Sequence, residues 1–302
     1  MTIPKHINVI DVGPRDGFQN IKTQIPTQTK LDVIEALIAS GVRAIEVTSF
    51  VHPKAVPQMA DAAEVAKTIV DRHQKEGLRI ISLVPNQRGA QNAFDNGIRE
   101  VTYVISASEK HNMANVNRTR EESLADLKNI VQAIPSLKVR AAIATTFGCP
   151  FEGKIEEKTV LDLMAAVIDS GAKEIILCDT IGVANPAQVK SLAEKAKSAS
   201  KNMPVVLHLH NTRGMGLANT YAAIEAGIET FETTVGGLGG CPFAPGAAGN
   251  TATEDMVNML HSMGIQTGIN LDEYLKAVYL VRDQIQSSLT SNMVNACKYD
   301  NI

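Results

Sequence analysis

Short apolar runs alternate along nearly the whole chain with longer stretches whose apolar residues recur every three to four positions, the signatures of buried strands and amphipathic helices. Ile7 to Val12 reads as the first strand, and Thr27 to Ser40 as a helix stopped by Gly41. The same alternation predicts strands at Ala44–Ser49, Arg79–Val84, Val101–Ser106, Val139–Thr145, Glu174–Cys178, Val205–His210 and Thr230–Val235. The intervening helices fall at Pro57–His73, Gln87–Asn96, Glu121–Ile134, Glu157–Ser170, Ala187–Ser200 and Leu217–Ala226, with another near Thr253–Met263. Ser40-Gly41, Asn96-Gly97, Ser170-Gly171 and Ala226-Gly227 each place a glycine where a helix must turn back toward a strand.

Eight strand–helix units are the count of an α/β protein of the (β/α)8 TIM-barrel class. Leu271 to Leu289 reads as one more helix, an extension beyond the barrel. No linker divides the chain, so residues 1–302 are expected to form a single domain, with the barrel over about 7–265 and a helical segment over about 270–302. A length of 302 residues suits this class. A net charge of -3 gives no sign of a nucleic-acid partner. Met1 to Asn8 has no apolar segment of a secretory signal, and no run is long and apolar enough to cross a bilayer, so a cytoplasmic protein without a membrane partner is expected. Cys149, Cys178, Cys241 and Cys297 are widely spaced and expected to be free thiols.

A barrel of this class carries its chemistry at the C-terminal ends of its strands. His208 and His210 occupy alternate positions at the end of strand seven, so both imidazoles are expected on one face. Such a pair fits a metal site, and equally two satisfied histidines at a strand end. Strand one runs into Asp11-Val12-Gly13-Pro14-Arg15-Asp16-Gly17, and strand two carries Glu46, Thr48 and Ser49. Strand five begins near Arg140 and ends at Thr145-Thr146, and strand six ends at Asp179-Thr180. Cys241 and Asn250 lie in the loop after strand eight.

Asp16, His208 and His210 thus make a set of two imidazoles and one carboxylate, with Asn250 as a possible fourth ligand. Mixed nitrogen and oxygen donors suit Mg²⁺, Mn²⁺, Co²⁺ or Zn²⁺. The competing reading is a salt-bridged Asp16 and two core histidines. Arg15 offers a planar fork for a carbonyl or carboxylate, or pairs with Glu46, and the two roles are compatible. Six glycines between Gly236 and Gly249 mark a loop able to move or to approach a ligand closely. Cys241 within it is either an acid–base thiol or an inert residue of a connector. Asn185 ahead of Pro186 reads as a helix cap, and Cys149 and Cys178 as packing residues.

Gly13-Pro14-Arg15-Asp16-Gly17-Phe18-Gln19-Asn20, Glu46-Val47-Thr48-Ser49-Phe50, His208-Leu209-His210 and the Gly-Leu-Gly-Gly-Cys-Pro-Phe-Ala run at 237–244 together closely resemble the 3-hydroxy-3-methylglutaryl-CoA lyases, TIM-barrel metallolyases. Pro85-Asn86-Gln87-Arg88-Gly89, Gly148 to Gly153 and Asp179-Thr180-Ile181-Gly182 extend the resemblance, which spans about Ile7 to Leu289. It implies that Asp16, His208, His210 and Asn250 ligate a divalent cation, Mg²⁺ or Mn²⁺. It further implies that Arg15 stabilises an enolate, that Glu46 positions Arg15 and the metal site, and that Cys241 handles a proton on the product. The reaction implied is retro-Claisen cleavage of 3-hydroxy-3-methylglutaryl-CoA to acetyl-CoA and acetoacetate, by a homodimer whose small-molecule partner is an acyl-CoA. Cleavage of citramalyl-CoA or a longer branched glutaryl-CoA, a Claisen-type synthase, and a barrel that merely binds CoA esters are the alternatives. The chain departs from the family pattern at Ile21, at Ile176-Leu177-Cys178 and at Gln286-Ser287-Ser288. These positions bear on the acyl group and on CoA, not on the metal set.

Overall fold

A computed structural model describes residues 3–240, 249–286 and 288–296. Eight parallel strands close into a barrel in chain order: β1 (Asn8–Asp11), β2 (Ala44–Ser49), β3 (Arg79–Val84), β4 (Glu100–Ser106), β5 (Lys138–Ala144), β6 (Glu174–Cys178), β7 (Val205–His208) and β8 (Thr230–Thr233). Around it run α1 (Thr27–Ala39), α2 (Ala62–His73), α3 (Gln87–Asp95), α4 (Glu109–Val116), α5 (Arg120–Ala133), α6 (Glu157–Asp169), α7 (Pro186–Ala199), α8 (Gly216–Glu225) and α9 (Thr253–Ser262), followed by α10 (Leu271–Gln284) and α11 (Asn292–Asn295). The expected TIM barrel with a C-terminal helical extension is what the chain forms.

Strand periodicity sorts side chains between two environments. Ile45, Val101, Val139, Ile175, Leu207 and Phe231 point outward and join the large apolar layer beneath the helices. Ile10, Val12, Ile81, Ala142, Ile176 and Val206 form a separate, smaller apolar cluster in the barrel interior. Charged residues share that interior. Arg140 is fully buried and pairs with Glu174 and Glu232, the latter at 2.7 Å. Arg140 therefore does not belong with the strand-end rim: it lies near the start of β5, opposite Thr102 and Glu174 in register.

Several boundaries differ from the sequence expectation. The stretch Pro57–His73 divides into a short turn at Pro57–Met59 and α2. Helix α4 was not expected; Ser108 caps it by accepting from the His111 amide at 3.0 Å. The C-terminal helix ends at Gln284 rather than Leu289. Beyond it, Asp255 of α9 receives Ser291 Oγ and the amides of Asn292 and Met293, which pins the short α11. Asn185 does cap α7, accepting from the Gln188 amide at 3.1 Å with Pro186 in the first turn.

Candidate active site

The peptide after β1 makes a wide single turn over Gly13–Gly17, in which the Phe18 amide reaches back to the Gly13 carbonyl. Asp11 fixes the turn from below. Its carboxylate accepts from the Gly13 amide at 2.8 Å, from Thr253 Oγ1 at 2.9 Å and from the Tyr274 hydroxyl. Helices α9 and α10 are thereby tied to the segment that presents Arg15 and Asp16. Gly13 is required here, because a Cβ would lie 2.7 Å from Val235 and 2.9 Å from the Asp11 carboxylate.

Arg15 is buried and uses two of its three nitrogens on carboxylates. Nε donates to Glu46, and Nη1 donates to Asp16 Oδ1 at 2.6 Å. Among the described residues, no hydrogen bond occupies Nη2. Glu46 is fully buried, and its second oxygen, Oε1, has no partner. The structure shows the pairing with Glu46, which grips one edge of the guanidinium, and among the described residues no hydrogen bond meets the remaining edge.

His208 ends β7, while His210 lies beyond the strand and forms an isolated antiparallel bridge with Asn250. The expectation that both histidines sit inside one strand is corrected. The extended chain still brings the rings together, with Nε2 to Nε2 at 3.2 Å. One ligand atom each from Asp16, His208 and His210 lies within 4.8 Å of the others. Asn250 joins them by donating from Nδ2 to Asp16 Oδ2 at 2.7 Å and to the Leu238 carbonyl at 3.0 Å. Its Oδ1 is buried and unpartnered. An unpartnered amide oxygen beside a carboxylate and two facing imidazole nitrogens is a donor set that fits a divalent cation.

The electrostatics point the same way. Burial pushes the Asp16 carboxyl up, but Arg15 and then His208 outweigh it and hold Asp16 below the usual carboxylate range. Burial and the neighbouring His208 push His210 down to about 3, which keeps its ring neutral. Burial lowers His208 as well, but the bond to Glu232 more than restores it. A neutral imidazole and an ionised carboxylate are the forms that bind metal, so His210 and Asp16 are held ready, whereas the carboxylate of Glu232 favours the protonated ring of His208, which must release a proton to ligate.

The sequence analysis did not single out Glu232, which accepts from His208 Nδ1 at 2.9 Å, or Gln19, whose amide donates to Asp16 Oδ1 at 2.9 Å. Glu232 carried a signal: a glutamate next to the outward-facing Phe231 in the short strand β8, and so at an inward position. Asp179 stays within its own loop, accepting from the Val183 and Ala184 amides, and burial pushes its carboxyl up to about 6. Cys149 and Cys178 are buried free thiols, as expected. Cys241 and Cys297 lie outside the described residues. The two ends of the Cys241 loop are described: Gly249 passes Gly239 so closely that a Cβ on Gly249 would stand 1.9 Å from the Gly239 carbonyl oxygen.

The profile of the HMGL-like family matches residues 6–281. The chain belongs to the HMGL-like family. Within that family's range of relatives it is 43% identical over 300 residues to the hydroxymethylglutaryl-CoA lyase YngG of Bacillus subtilis, covering 99% of each chain. It is 41% identical over 280 residues to an (R)-citramalyl-CoA lyase of Chloroflexus aurantiacus, covering 90% of this chain and 88% of that one. Among solved structures, an HMG-CoA lyase of Acinetobacter baumannii in complex with coenzyme A and 3-methylmalate superposes with a TM-score of 0.94 at 40% identity, covering 100% of this chain and 98% of that one.

Proposed function

We propose that this chain is a divalent-metal-dependent carbon–carbon lyase that cleaves 3-hydroxy-3-methylglutaryl-CoA to acetyl-CoA and acetoacetate. The observation that carries the proposal is the convergence of Asp16, His208 and His210 beside the unpartnered Asn250 Oδ1, with Arg15 alongside. Asp16, His208, His210 and Asn250 would hold the cation, Mg²⁺ or Mn²⁺. When bound, the cation supplies Lewis acidity toward an oxygen-rich substrate.

The chain's own residues supply the rest. In a retro-Claisen cleavage the tertiary hydroxyl gives its proton to a general base, the alkoxide becomes the ketone carbonyl of acetoacetate as the adjacent carbon–carbon bond breaks, and the electron pair of that bond moves onto the thioester as an enolate. Arg15, whose Nη2 has no hydrogen bond among the described residues, would stabilise that charge, and a fixed donor there is worth more than a mobile one. Glu46 fixes the opposite edge of Arg15. Asp16 stays ionised beside Arg15 and so can both bind and orient. Cys241 would deliver the proton that converts the enolate to acetyl-CoA.

A single 1–302 unit, a homodimeric assembly and a cytoplasmic location belong to the same proposal. Sedimentation and cell fractionation test the last two. No helix among the described residues is long and apolar enough to cross a membrane. The similarity to a citramalyl-CoA lyase favours one second reading, the same chemistry on citramalyl-CoA. A turnover assay with both thioesters, following acetyl-CoA together with acetoacetate or pyruvate, separates them. Release of acetoacetate supports the primary reading. Exclusive release of pyruvate would replace it.

A further inference from the structure

We propose that Arg140, inside the barrel and away from the rim, is a positioning residue for the cation site: through Glu232 it fixes the ring orientation and tautomer of His208. This inference rests on the reading of Asp16, His208 and His210 as a cation site.

Glu232 stands between the two residues and gives one oxygen to each. Its Oε1 accepts from Arg140 Nη2 at 2.7 Å, and its Oε2 meets His208 Nδ1 at 2.9 Å. A carboxylate only accepts, so Nδ1 is the donor. The lone pair of the neutral ring is then on Nε2. That atom faces the site, 3.2 Å from His210 Nε2 and 4.0 Å from Asp16 Oδ2. A carboxylate behind a ligating histidine sets its tautomer and raises its basicity.

Arg140 is itself held on every side. Nε donates to Glu174, Nη1 donates to Thr102 Oγ1 at 3.2 Å, and the side chain is fully buried. These contacts restrain the guanidinium, and the bonds to both oxygens of Glu232 restrain its carboxylate. Lysine, with a point charge and no fork, would not hold Glu174 and Glu232 at once. Below this layer Arg79 bonds Glu100 and approaches Glu174 at 3.1 Å, while Lys138 approaches Glu100 at 3.0 Å. Three cations therefore face three carboxylates from the start of the strands up to His208. A lone buried charge would be costly, whereas a balanced chain is tolerated and rigid.

The test uses the full-length protein. Arg140→Met combined with Glu174→Gln removes one cation and one anion and keeps the interior balanced. Mn²⁺ affinity is measured by electron paramagnetic resonance without substrate, and the His208 tautomer by ¹⁵N chemical shifts in metal-free protein. The expected result is a folded protein whose Mn²⁺ affinity falls about 10- to 100-fold and whose His208 no longer shows a single Nδ1–H form. Lys138→Gln, which disturbs the far end of the chain of charges, should shift the melting temperature but leave Mn²⁺ affinity within about two-fold, well short of a lost supporting contact. Arg140→Lys is the second variant should the double variant fail to fold, and it should weaken Mn²⁺ in the same direction. Unchanged affinity and an unchanged tautomer in a folded Arg140 variant would overturn the proposal. Should the wild-type protein bind no Mn²⁺, the cation reading fails, and the tautomer alone decides: an Nδ1–H form that survives loss of Arg140 overturns the positioning role.

Discussion

Replacing Arg15 with Met tests the site at the point where stability and chemistry are joined. Arg15 is the ion-pair partner of Glu46, which is fully buried and has one oxygen already without a partner. Taking the guanidinium away leaves that carboxylate buried and unpaired, which costs about 3–5 kcal/mol. A larger domain loses about 2–4 °C in Tm per kcal/mol, so the melting temperature should fall by roughly 10 °C. Turnover should fall at least about 10²- to 10³-fold, the cost of losing one fixed donor at a developing oxyanion. The double variant Arg15→Met/Glu46→Gln separates the two effects. It no longer buries an unpaired charge, so most of the lost stability should return, while turnover should remain at the level of the single variant. Thermal unfolding and a coupled acetyl-CoA assay read the two quantities. Recovery of turnover along with stability would refute the role of Arg15 at the enolate. A single variant as stable as the parent would refute the account of Glu46.

Three other perturbations probe separate parts of the structure. Asn250→Ala removes both the unpartnered oxygen and the donor to Asp16, and calorimetry should find Mn²⁺ bound about ten-fold or more weakly; equal affinity would remove Asn250 from the ligand set. Gly249→Ala forces a Cβ against the Gly239 carbonyl, and should cost about 1–3 kcal/mol and depress kcat; a variant matching the parent in denaturant midpoint and rate would show that the loop base is not packed as described. Burial pushes the Glu254 carboxyl up to about 8 from an ordinary 4.5, so the folded protein holds a proton that the unfolded chain has released, and stability should decline as pH rises through that interval. Glu254→Gln should abolish that decline, matching the parent near pH 4 and exceeding it at pH 9 by roughly a few kcal/mol, and a pH-independent difference in Tm would contradict the assignment.

The barrel was legible because its strands repeat at short intervals and its helices end in glycines, both purely local signals. The ends of the strands were not. Val205 to His210 is apolar throughout apart from its histidines, yet the hydrogen-bonded ladder stops at His208, and His210 pairs instead with Asn250, forty residues on. Nothing local reports that partner. Arg15 and Asp16 stood out as charges beside glycines at a strand end, but the turn that aims them depends on Asp11, Thr253 and Tyr274, which come from opposite ends of the chain. Arg140 was grouped with the rim although it stands near the start of its strand, the end of a parallel barrel opposite the chemistry. Its partners Glu174 and Glu232 become neighbours only once the sheet closes on itself. Charges that neutralise one another in an interior are hard to recognise in a sequence, since each looks like a surface residue until its partners are known.

The most direct test of the account is turnover by protein stripped of metal. Purified protein treated with a chelator and then mixed with 3-hydroxy-3-methylglutaryl-CoA should be inactive. Added Mg²⁺ or Mn²⁺ should release acetyl-CoA and acetoacetate in equal amounts, and Cys241→Ala should lose most of that rate. Equal release of both products without any divalent cation would contradict the central claim that Asp16, His208, His210 and Asn250 form a cation site on which the cleavage depends.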